Sequence, residues 1–356
     1  MSDQDISLQL QEQVQEAARA RTPLRIRGGD SKAFFGHPVQ GTPLELGEHR
    51  GIRAYEPSEL VLTARAGTLL TEVEALLAEH GQILPFDPPR FTPDSTLGGA
   101  VAAGLSGPGR PWRGSVRDVL LGVTLLDGRG RIMRFGGEVM KNVAGYDLSR
   151  LMAGAQGALG ILLEVSVRVL PRPRHEATRV IQCSGSEAAG TLGRLRRTAI
   201  PLSGACYHDG ELHLRLSGAE QAVKAAGDTL PGSWLDDPGT FWSGLRDQRL
   251  DFFRAGTAPL WRLSVPPATP PLDAESTLVD WGGAQHWVRD ASLTAQRVRD
   301  HVEKHQGHAI LFRNGDPASD PIFHPLPPAV EGLHHRLKAV FDPQGILNPG
   351  RLYPGI

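Results

Sequence analysis

The hydrophobic pattern predicts alternating helices and strands along the first half of the chain. Ile6, Leu10 and Val14 recur at helical spacing and predict an amphipathic first helix. Thr71 and Glu74 have the spacing of a capping box, in which two side chains satisfy backbone N–H groups at the start of a helix. The predicted elements are a helix over 5–20, strands over 24–27 and 61–66, a helix over 71–81, strands over 119–126 and 131–135 around Asp127-Gly128, and a strand over 161–170.

Two prolines mark the end of this pattern. Pro171 and Pro173 stop the strand before them, so we expect a domain boundary at residue 173. The elements predicted beyond it are a strand over 178–183, a helix over 187–198, two strands around Asp209-Gly210, and helices over 219–229 and 329–341. The predicted organisation is a first domain over 1–173, an α+β cap domain over 174–328, and a C-terminal segment over 329–356 that returns to the first domain.

The composition narrows the classes of function. The formal net charge of −1 gives no general attraction to nucleic acid or to an acidic membrane, so we expect no nucleic-acid partner. Two cysteines, Cys183 and Cys206, are too few for a zinc ribbon or a four-cysteine iron–sulfur cluster. No segment approaches the ~20 apolar residues that span a bilayer. The start, MSDQDISLQLQEQ, lacks the features of a signal peptide, and we expect a cytoplasmic protein.

The segment RGGDSK, from Arg27 to Lys32, has the composition of a diphosphate-binding loop. Gly28 and Gly29 would open the loop, and the residues after them would present backbone N–H groups to the phosphates. An ordinary surface turn with a solvated lysine is the alternative. The sequence contains neither G-x-G-x-x-G nor G-x-x-x-x-G-K-[ST], which disfavours a Rossmann dinucleotide site and a nucleoside-triphosphate P-loop.

Two further segments are rich in glycine. Thr96–Gly107 contains four glycines, which suits a loop pressed against a flat ligand or a diphosphate, and a buried helix of small residues is the alternative. Gly154, Gly157 and Gly160 lie between an apolar helical turn and a β-branched strand. Such spacing lets a ligand approach the backbone closely, and a tight packing turn is the alternative.

Together these segments resemble the PCMH-type FAD-binding proteins of the vanillyl-alcohol-oxidase-like superfamily. Lys141–Ile161 is similar to the family's GYDL…GxxGxLGI signature, RIRGGDSK to its pyrophosphate loop, and TLGGAVAAGLSG to its second glycine-rich flavin loop. FDPQGILNPGR, near the C-terminus, resembles the family's closing segment. The resemblance implies FAD as the cofactor and a fold of two α+β subdomains that bind FAD, with an α+β cap domain. No covalent attachment is signalled, so we expect dissociable FAD.

The family likeness also selects residues expected to contact FAD. Backbone groups would form most of the pocket, with the adenosine half near Ile161, and the side-chain amide of Asn348 would meet the flavin ring. Common relatives have serine, glutamate and threonine where Ala155, Gln156 and Ala158 stand, so we expect backbone contacts there. The predicted cofactor-binding residues are Arg27, Gly28, Gly29, Asp30, Ser31, Lys32, Thr96, Gly98, Gly99, Ser106, Gly145, Asp147, Gly157, Gly160, Ile161 and Asn348.

Over nearly its full length the chain most resembles the FAD-binding accessory subunits of bacterial glycolate oxidases. GSVRDVLLG and DWGGA extend the likeness beyond the glycine segments. The resemblance implies oxidation of glycolate to glyoxylate in a complex with a catalytic FAD subunit and an iron–sulfur subunit, with any membrane association made through those partners. Two alternatives stay open: an independent FAD-dependent 2-hydroxy-acid dehydrogenase, and a scaffold subunit that keeps the fold without flavin.

The sequence does not identify catalytic residues. The related catalytic dehydrogenases carry HxGDGNxH and EHG motifs, and neither occurs here. Arg110, Arg113 and Arg117 are candidates to anchor a substrate carboxylate or to form a subunit interface. We expect no metal site, because basic neighbours favour a solvated helix face for the three clustered histidines His301, His305 and His308.

Overall fold

The described chain contains both helices and strands, in the predicted α+β class. The structure is a computed structural model that describes residues 3–137, 147–316 and 320–356. The elements up to Pro171 are α1 (Ser7–Ala20), β1 (Leu24–Arg27), β2 (Thr42–Glu45), β3 (Ile52–Glu56), β4 (Val61–Arg65), α2 (Leu70–Glu79), β5 (Gln82–Ile83), α3 (Leu97–Ala103), α4 (Arg110–Arg113), α5 (Val116–Val119), β6 (Leu120–Leu126), β7 (Ile132–Gly136), α6 (Leu148–Leu151), β8 (Ile161–Arg168) and β9 (Leu170–Pro171).

The elements beyond Pro171 again mix both types. They are β10 (His175–Gln182), α7 (Gly185–Leu195), β11 (Leu202–His208), β12 (Glu211–Gly218), α8 (Glu220–Asp228), β13 (Ser233–Trp234), α9 (Pro238–Arg246), α10 (Asp251–Arg254), β14 (Leu260–Ser264), β15 (Ser276–Asp280), a 3₁₀ turn (Trp281–Gly283), β16 (Gln285–Arg289), α11 (Ala295–Lys304), β17 (His308–Arg313) and α12 (Pro328–Phe341). In the described ranges no helix is both long and apolar enough to cross a membrane.

The chain divides into two compact units. The domain limits predicted from the sequence place residues 107–113 in the first domain, whereas in the structure they belong to the second unit. The first unit consists of Met1–Ser106, Gly114–Pro171 and Pro325–Ile356, and the second of Gly107–Arg113 and Arg172–His324.

The first unit is built on an antiparallel sheet. Within the described residues its strand order is β3-β4-β8-β6-β7, and β1 and β2 form a separate parallel pair. The predicted hairpin around Asp127-Gly128 is confirmed, because β6 and β7 pair in antiparallel register on either side of it. Leu10 and Val14 of α1 are buried in the core of this unit, as their helical spacing predicted.

The predicted capping box at the start of α2 is wrong. The N-cap residue is Leu69, which makes no side-chain cap, and Thr71 lies inside the helix. A capping box does occur at the start of α7, where the Ser184 hydroxyl accepts from the Glu187 backbone N–H and the Glu187 carboxylate accepts from the Ser184 backbone N–H. The spacing Ser/Thr-x-x-Glu alone therefore does not locate the start of a helix. The positions of the apolar residues in the following helix are also needed.

The second unit is built on a larger antiparallel sheet. Among the described residues its strand order is β13-β10-β12-β11-β15-β16-β14-β17. The two strands predicted around Asp209-Gly210 are confirmed as β11 and β12. The pattern did not predict β14 to β17, which are short apolar runs, and a proline-rich passage separates β14 from β15. Val298 and Val302 of α11 pack with Trp261 and Leu311 in one core of this unit.

Candidate functional site

A cavity of about 350 Å³ lies within the first unit. Its volume is in the range of small-molecule and cofactor sites. Backbone and small side chains make up much of its wall. The lining residues fall in four stretches of chain, 25–46, 66–103, 156–162 and 348–351. The cavity thus gathers residues from the three glycine segments and from the closing segment.

The first glycine segment leaves β1 and passes close to the residues before α3. A Cβ atom added to Gly28 would lie 2.7 Å from the Thr96 hydroxyl oxygen, and one added to Gly29 would overlap the Asp94 backbone carbonyl. Neither glycine has a positive φ. These positions therefore need glycine for close approach between two segments, and left-handed backbone is not the reason.

Charges around the first segment are arranged in pairs. The Asp30 carboxylate lies 2.9 Å from the Arg25 guanidinium and 3.0 Å from that of Arg27, and Glu45 also pairs with Arg27 at 3.1 Å. The Lys32 ammonium donates to the Ser31 hydroxyl at 3.3 Å, and Lys32 is 9% exposed. The segment thus brings cationic side chains to the wall of the cavity and buries part of their charge.

Residues 97–103 of the second glycine segment form the helix α3. This is the helix of small residues that was the alternative to a loop. The Thr96 hydroxyl accepts from the Gly99 backbone N–H at 3.1 Å, and the Gly98 N–H donates to the Ala66 carbonyl at 2.9 Å. Thr96, Gly98 and Gly99 all line the cavity. Ser106 does not line it; the Ser106 hydroxyl accepts from the Val116 backbone N–H at 3.2 Å.

The third segment reaches the cavity through its last residues. Gly157 has a φ of +76°, and a Cβ atom there would lie 2.8 Å from Asn348 Nδ2. Gly157, Gly160 and Ile161 line the cavity. Asp147 is not among the lining residues, and it caps α6 by accepting from the Arg150 backbone N–H at 3.2 Å. Gly145 lies outside the described residues.

Asn348 joins the closing segment to two walls of the cavity. Its Oδ1 accepts from the Ile26 backbone N–H at 2.8 Å, and its Nδ2 donates to the Gln156 carbonyl at 2.7 Å. The sequence predicted that this amide meets the flavin ring. In the structure each end of the amide is engaged by backbone, so Asn348 holds β1 and the Gln156 turn together.

Lys338 of α12 anchors the same closing segment. Its ammonium donates to the carbonyls of Ala158 and Leu347 and pairs with the Asp342 carboxylate at 2.8 Å. Burial lowers the pKa of Lys338, and the Asp342 charge opposes that shift. The buried ion pair therefore holds the end of α12 against the third glycine segment.

Sequence reasoning missed Arg351. Its guanidinium contacts carbonyls of the stretch after the first glycine segment, and its Nε donates to Gln156 Oε1 at 3.0 Å. Burial lowers the pKa of Arg351 to about 10. The only sequence signal is its position at the end of the closing segment FDPQGILNPGR, because its partners lie more than 190 residues away along the chain.

The three candidate arginines do not share one setting. Arg117 belongs to the first unit, whereas Arg110 and Arg113 belong to the second. The Arg110 guanidinium lies 4.4 Å from the centre of the Trp281 ring. Arg113 pairs with Glu176 and has a side chain that is 11% exposed. Arg113 is thus part of the internal ion pairing of its unit.

His286 is a buried histidine of the second unit. Burial lowers the pKa of His286 to about 4, and its Nε2 contacts the Gly283 carbonyl at 3.1 Å. His301 lies on α11, His305 caps that helix, and His308 begins β17, so the three do not share one helix face. Among the described residues no three His, Cys, Asp or Glu side chains are grouped as metal ligands.

Known proteins resemble this chain in both sequence and fold. A family model described as "FAD binding domain" matches residues 7–136, and one described as "FAD linked oxidases, C-terminal domain" matches residues 327–352. Solved structures share the fold: p-cresol methylhydroxylase has a TM-score of 0.77 at 15% identity over 98% of this chain and 87% of that chain. Alkyldihydroxyacetonephosphate synthase has a TM-score of 0.67 at 14% identity over 96% of this chain and 74% of that chain.

The curated relatives include two glycolate oxidase subunits. Glycolate oxidase subunit GlcE of Escherichia coli (strain K12) is 47% identical over 351 residues, which is 98% of each chain. Glycolate oxidase subunit GlcD of Bacillus subtilis (strain 168) is 30% identical over 171 residues, 48% of this chain and 36% of that protein. This chain therefore belongs to the family of FAD-linked oxidases that includes glycolate oxidase subunit GlcE, and its cofactor is FAD.

Proposed function

We propose that this chain is the FAD-binding subunit of a glycolate oxidase complex that converts glycolate to glyoxylate. One observation carries the proposal: the cavity of about 350 Å³ is lined by all three glycine segments, in a chain that matches GlcE from end to end. The reaction removes two electrons and two protons from the hydroxyl-bearing carbon and its oxygen. Bound FAD supplies the two-electron acceptor chemistry for such an oxidation.

In this proposal the first two segments bind the diphosphate of FAD. Gly28 and Gly29 allow the first segment to lie close to Thr96 and Asp94, and backbone N–H groups of the first segment would bind the phosphates. Lys32 adds positive charge at the wall, while Arg27 is paired with Asp30 and Glu45 and contributes through its backbone. The residues assigned to this task are Arg27, Gly28, Gly29, Asp30, Ser31, Lys32, Thr96, Gly98 and Gly99.

The other wall would accept a flat ring system. Ile26, Leu46 and Ile161 line the cavity with apolar side chains that exclude water from a bound ring. Gly157 and Gly160 complete this wall, and Asn348 fixes its shape through two backbone partners. We assign no flavin contact to Ser106 or Asp147, because neither lines the cavity.

The electron route of the proposal runs through partner chains. The relatives' names describe GlcE and GlcD as subunits of glycolate oxidase, so we assign the catalytic flavoprotein role to a GlcD-like partner. Two cysteines cannot ligate a four-cysteine cluster, and we assign the iron–sulfur centres to a further subunit. We place the complex in the cytoplasm, with any membrane contact made by partners.

The test compares the purified chain with the assembled complex. We expect the chain alone to contain FAD that acid precipitation releases, and to reduce dyes only slowly with glycolate. Turnover should appear when the catalytic and iron–sulfur subunits are added. A folded chain that neither contains FAD nor takes it up would support the flavin-free scaffold. Rapid glycolate-dependent dye reduction by the FAD-loaded single chain would identify an independent dehydrogenase.

Charge reversal of two arginines separates a partner surface from a substrate anchor. Arg110 and Arg117 belong to different units and both are exposed. If either forms a partner surface, its replacement by glutamate should abolish co-purification of the subunits while FAD stays bound. If Arg110 anchors the substrate carboxylate, the complex should assemble normally and the KM for glycolate should rise.

A further inference from the structure

The Arg351 guanidinium gathers four backbone carbonyls of one loop. Its Nη2 donates to the carbonyls of Lys32, Ala33 and Phe35 at 3.2, 3.1 and 2.6 Å, and its Nη1 donates to that of His37 at 2.9 Å. The loop follows directly on the first glycine segment. One side chain from the C-terminal segment thus satisfies carbonyls that span six residues of the loop.

The loop over residues 32–37 packs closely against Arg351. The His37 backbone N–H donates to the Arg351 carbonyl at 3.0 Å, so Arg351 holds the loop with its main chain as well. Gly36 has a φ of +105°, and a Cβ atom there would lie 3.0 Å from Arg351 Nε. An alanine at this position would strain the backbone and crowd the guanidinium. Gly36 is therefore the residue type that the contact requires.

Arg351 also connects the loop to the opposite wall of the cavity. Its Nε donates to Gln156 Oε1 at 3.0 Å, and the Gln156 carbonyl accepts from Asn348. Lys32, Ala33 and Phe35, whose carbonyls it holds, all line the cavity. With a pKa of about 10, the guanidinium stays charged at neutral pH, and its charge is spread over aligned carbonyl dipoles.

We propose that Arg351 is a positioning residue that fixes the wall over 32–37 in its FAD-binding shape, so that FAD retention depends on it. The proposal rests on the proposed function, since it assumes that this cavity binds FAD. Without the guanidinium the loop carbonyls lose their common partner, and the loop has to be ordered at the moment of binding. That ordering cost reduces affinity, whereas a preorganised wall avoids it.

Lysine cannot replace arginine fully in this role. The guanidinium is planar and presents five N–H donors in a fixed fork, while an ammonium presents three donors from one atom. R351K can therefore keep the positive charge but hold only part of the carbonyl set. A graded response from arginine through lysine to glutamine would separate the geometry of the contacts from the charge alone.

The experiment measures FAD binding by the full-length chain and its variants. We expect R351Q to weaken FAD binding by on the order of 30-fold and R351K by roughly fivefold. The visible circular dichroism of bound FAD should change in both variants at saturating FAD. Millimolar guanidinium should restore part of the affinity of R351A. G36A keeps the arginine but crowds it, and should weaken binding as well.

Arg289 provides a matched control in the second unit. It holds backbone carbonyls in the same way, donating to Gly256, Ala258 and Phe253 at 3.3, 3.1 and 3.0 Å. R289Q should lower the unfolding temperature and leave the FAD dissociation constant within about twofold of the wild-type value. If the loss of any side chain that binds backbone carbonyls weakened FAD binding, both R351Q and R289Q would show the weakening.

The outcomes distinguish the inference from the proposed function. If wild-type protein binds FAD and R351Q binds it equally tightly, with an unchanged dichroism spectrum, Arg351 has no positioning role. If R351Q and R289Q weaken FAD binding equally, the effect is general stability and the proposal is overturned. If R351Q does not fold, unchanged binding by both R351K and G36A overturns it. Wild-type protein that takes up no FAD refutes the proposed function itself.

Discussion

The cavity of the first unit and the aromatic clusters of the second unit are built from different kinds of residue. In the first unit, glycines at the cavity let neighbouring segments lie close together. A Cβ atom at Gly28, Gly29 or Gly98 would clash with a neighbouring segment. In the second unit large rings pack against one another. His213 stacks on Phe241 at 3.9 Å, and the ring centres of Trp287 and Phe312 lie 4.9 Å apart.

One buried ionisable group from each unit shows a different way to compensate for the cost of burial. In the first unit the buried Lys338 pairs with the carboxylate of Asp342. The second unit buries His286 at 1% exposure with a pKa of about 4, so this imidazole is neutral at physiological pH. A paired charge and a neutral imidazole respond differently to mutation and to acid. The comparison therefore leads to separate tests for each unit.

The largest effect on the free energy of unfolding is expected when the buried Lys338–Asp342 ion pair is broken. In K338M the Asp342 carboxylate would stay buried without its cation, and losing one partner of a buried pair costs about 3–5 kcal/mol. We expect urea unfolding followed by far-UV circular dichroism to show this loss. R131M is the matched control, because Arg131 pairs with buried Asp127 but is itself 54% exposed in its side chain. Equal losses in K338M and R131M would contradict the importance of burial.

All six tryptophans of the chain belong to the second unit, which allows the units to be monitored separately. Tryptophan fluorescence reports on the second unit, while bound FAD reports on the first. In K338M the urea midpoint of the tryptophan fluorescence transition should therefore fall less than the urea midpoint of FAD release. If fluorescence and FAD release always change together, the two units unfold as one and the comparison between them fails.

The next effect concerns acid and the second unit. The folded pKa of His286, about 4, lies below the usual value of 6.5, so the unfolded state binds more protons between these values. Stability should therefore fall as pH drops from 6.5 to 4, by up to about 3 kcal/mol. We expect H286Q to flatten this dependence in fluorescence-detected urea unfolding. Replacing exposed His335 by glutamine is the control, and an unchanged slope in H286Q would refute the assignment.

Local signals explain what the sequence predicted. The Asp127-Gly128 hairpin and the strand β1 follow from residues adjacent in the chain, and three glycine segments line the cavity as a group. Ser106 and Asp147, which are predicted to contact the cofactor, do not line the cavity and accept backbone N–H groups of residues near them in the chain. Polar residues that accept such local bonds are common at helix starts, and their spacing alone does not separate capping from ligand binding.

Long-range contacts explain what the sequence did not predict. Arg351 contacts His37 across 314 positions of sequence, and no local pattern indicates such a pair. The close approach of Gly28 to Thr96 is likewise a contact between residues far apart in the sequence. The partners of β14 could not be predicted for a similar reason, because β14 pairs with β16 and β17, which both come after β15 in the sequence.

A smaller effect is expected when a side chain is added at Gly28, where the first glycine segment approaches Thr96. Gly28→Val places a branched side chain against the Thr96 hydroxyl, and overpacking costs about 1–3 kcal/mol. We expect FAD affinity to fall by roughly 10- to 100-fold in a flavin fluorescence titration. Gly47→Ala is the control, because a Cβ atom there meets nothing within 4 Å. Wild-type affinity in folded Gly28→Val would remove this segment from the site.

The smallest effect is expected at Ser31, where a side chain is removed and the backbone is kept. Its hydroxyl accepts from Ser95 at 2.9 Å and from Lys32 at 3.3 Å, so alanine removes these contacts but leaves every backbone N–H in place. A single neutral hydrogen bond contributes about 1 kcal/mol, and we expect Ser31→Ala to weaken FAD binding by about fivefold. The same titration should rank Gly28→Val well below it in affinity. If Ser31→Ala were instead the weaker binder, side chains and not backbone would determine affinity in the first unit, and the contrast with the second unit would disappear.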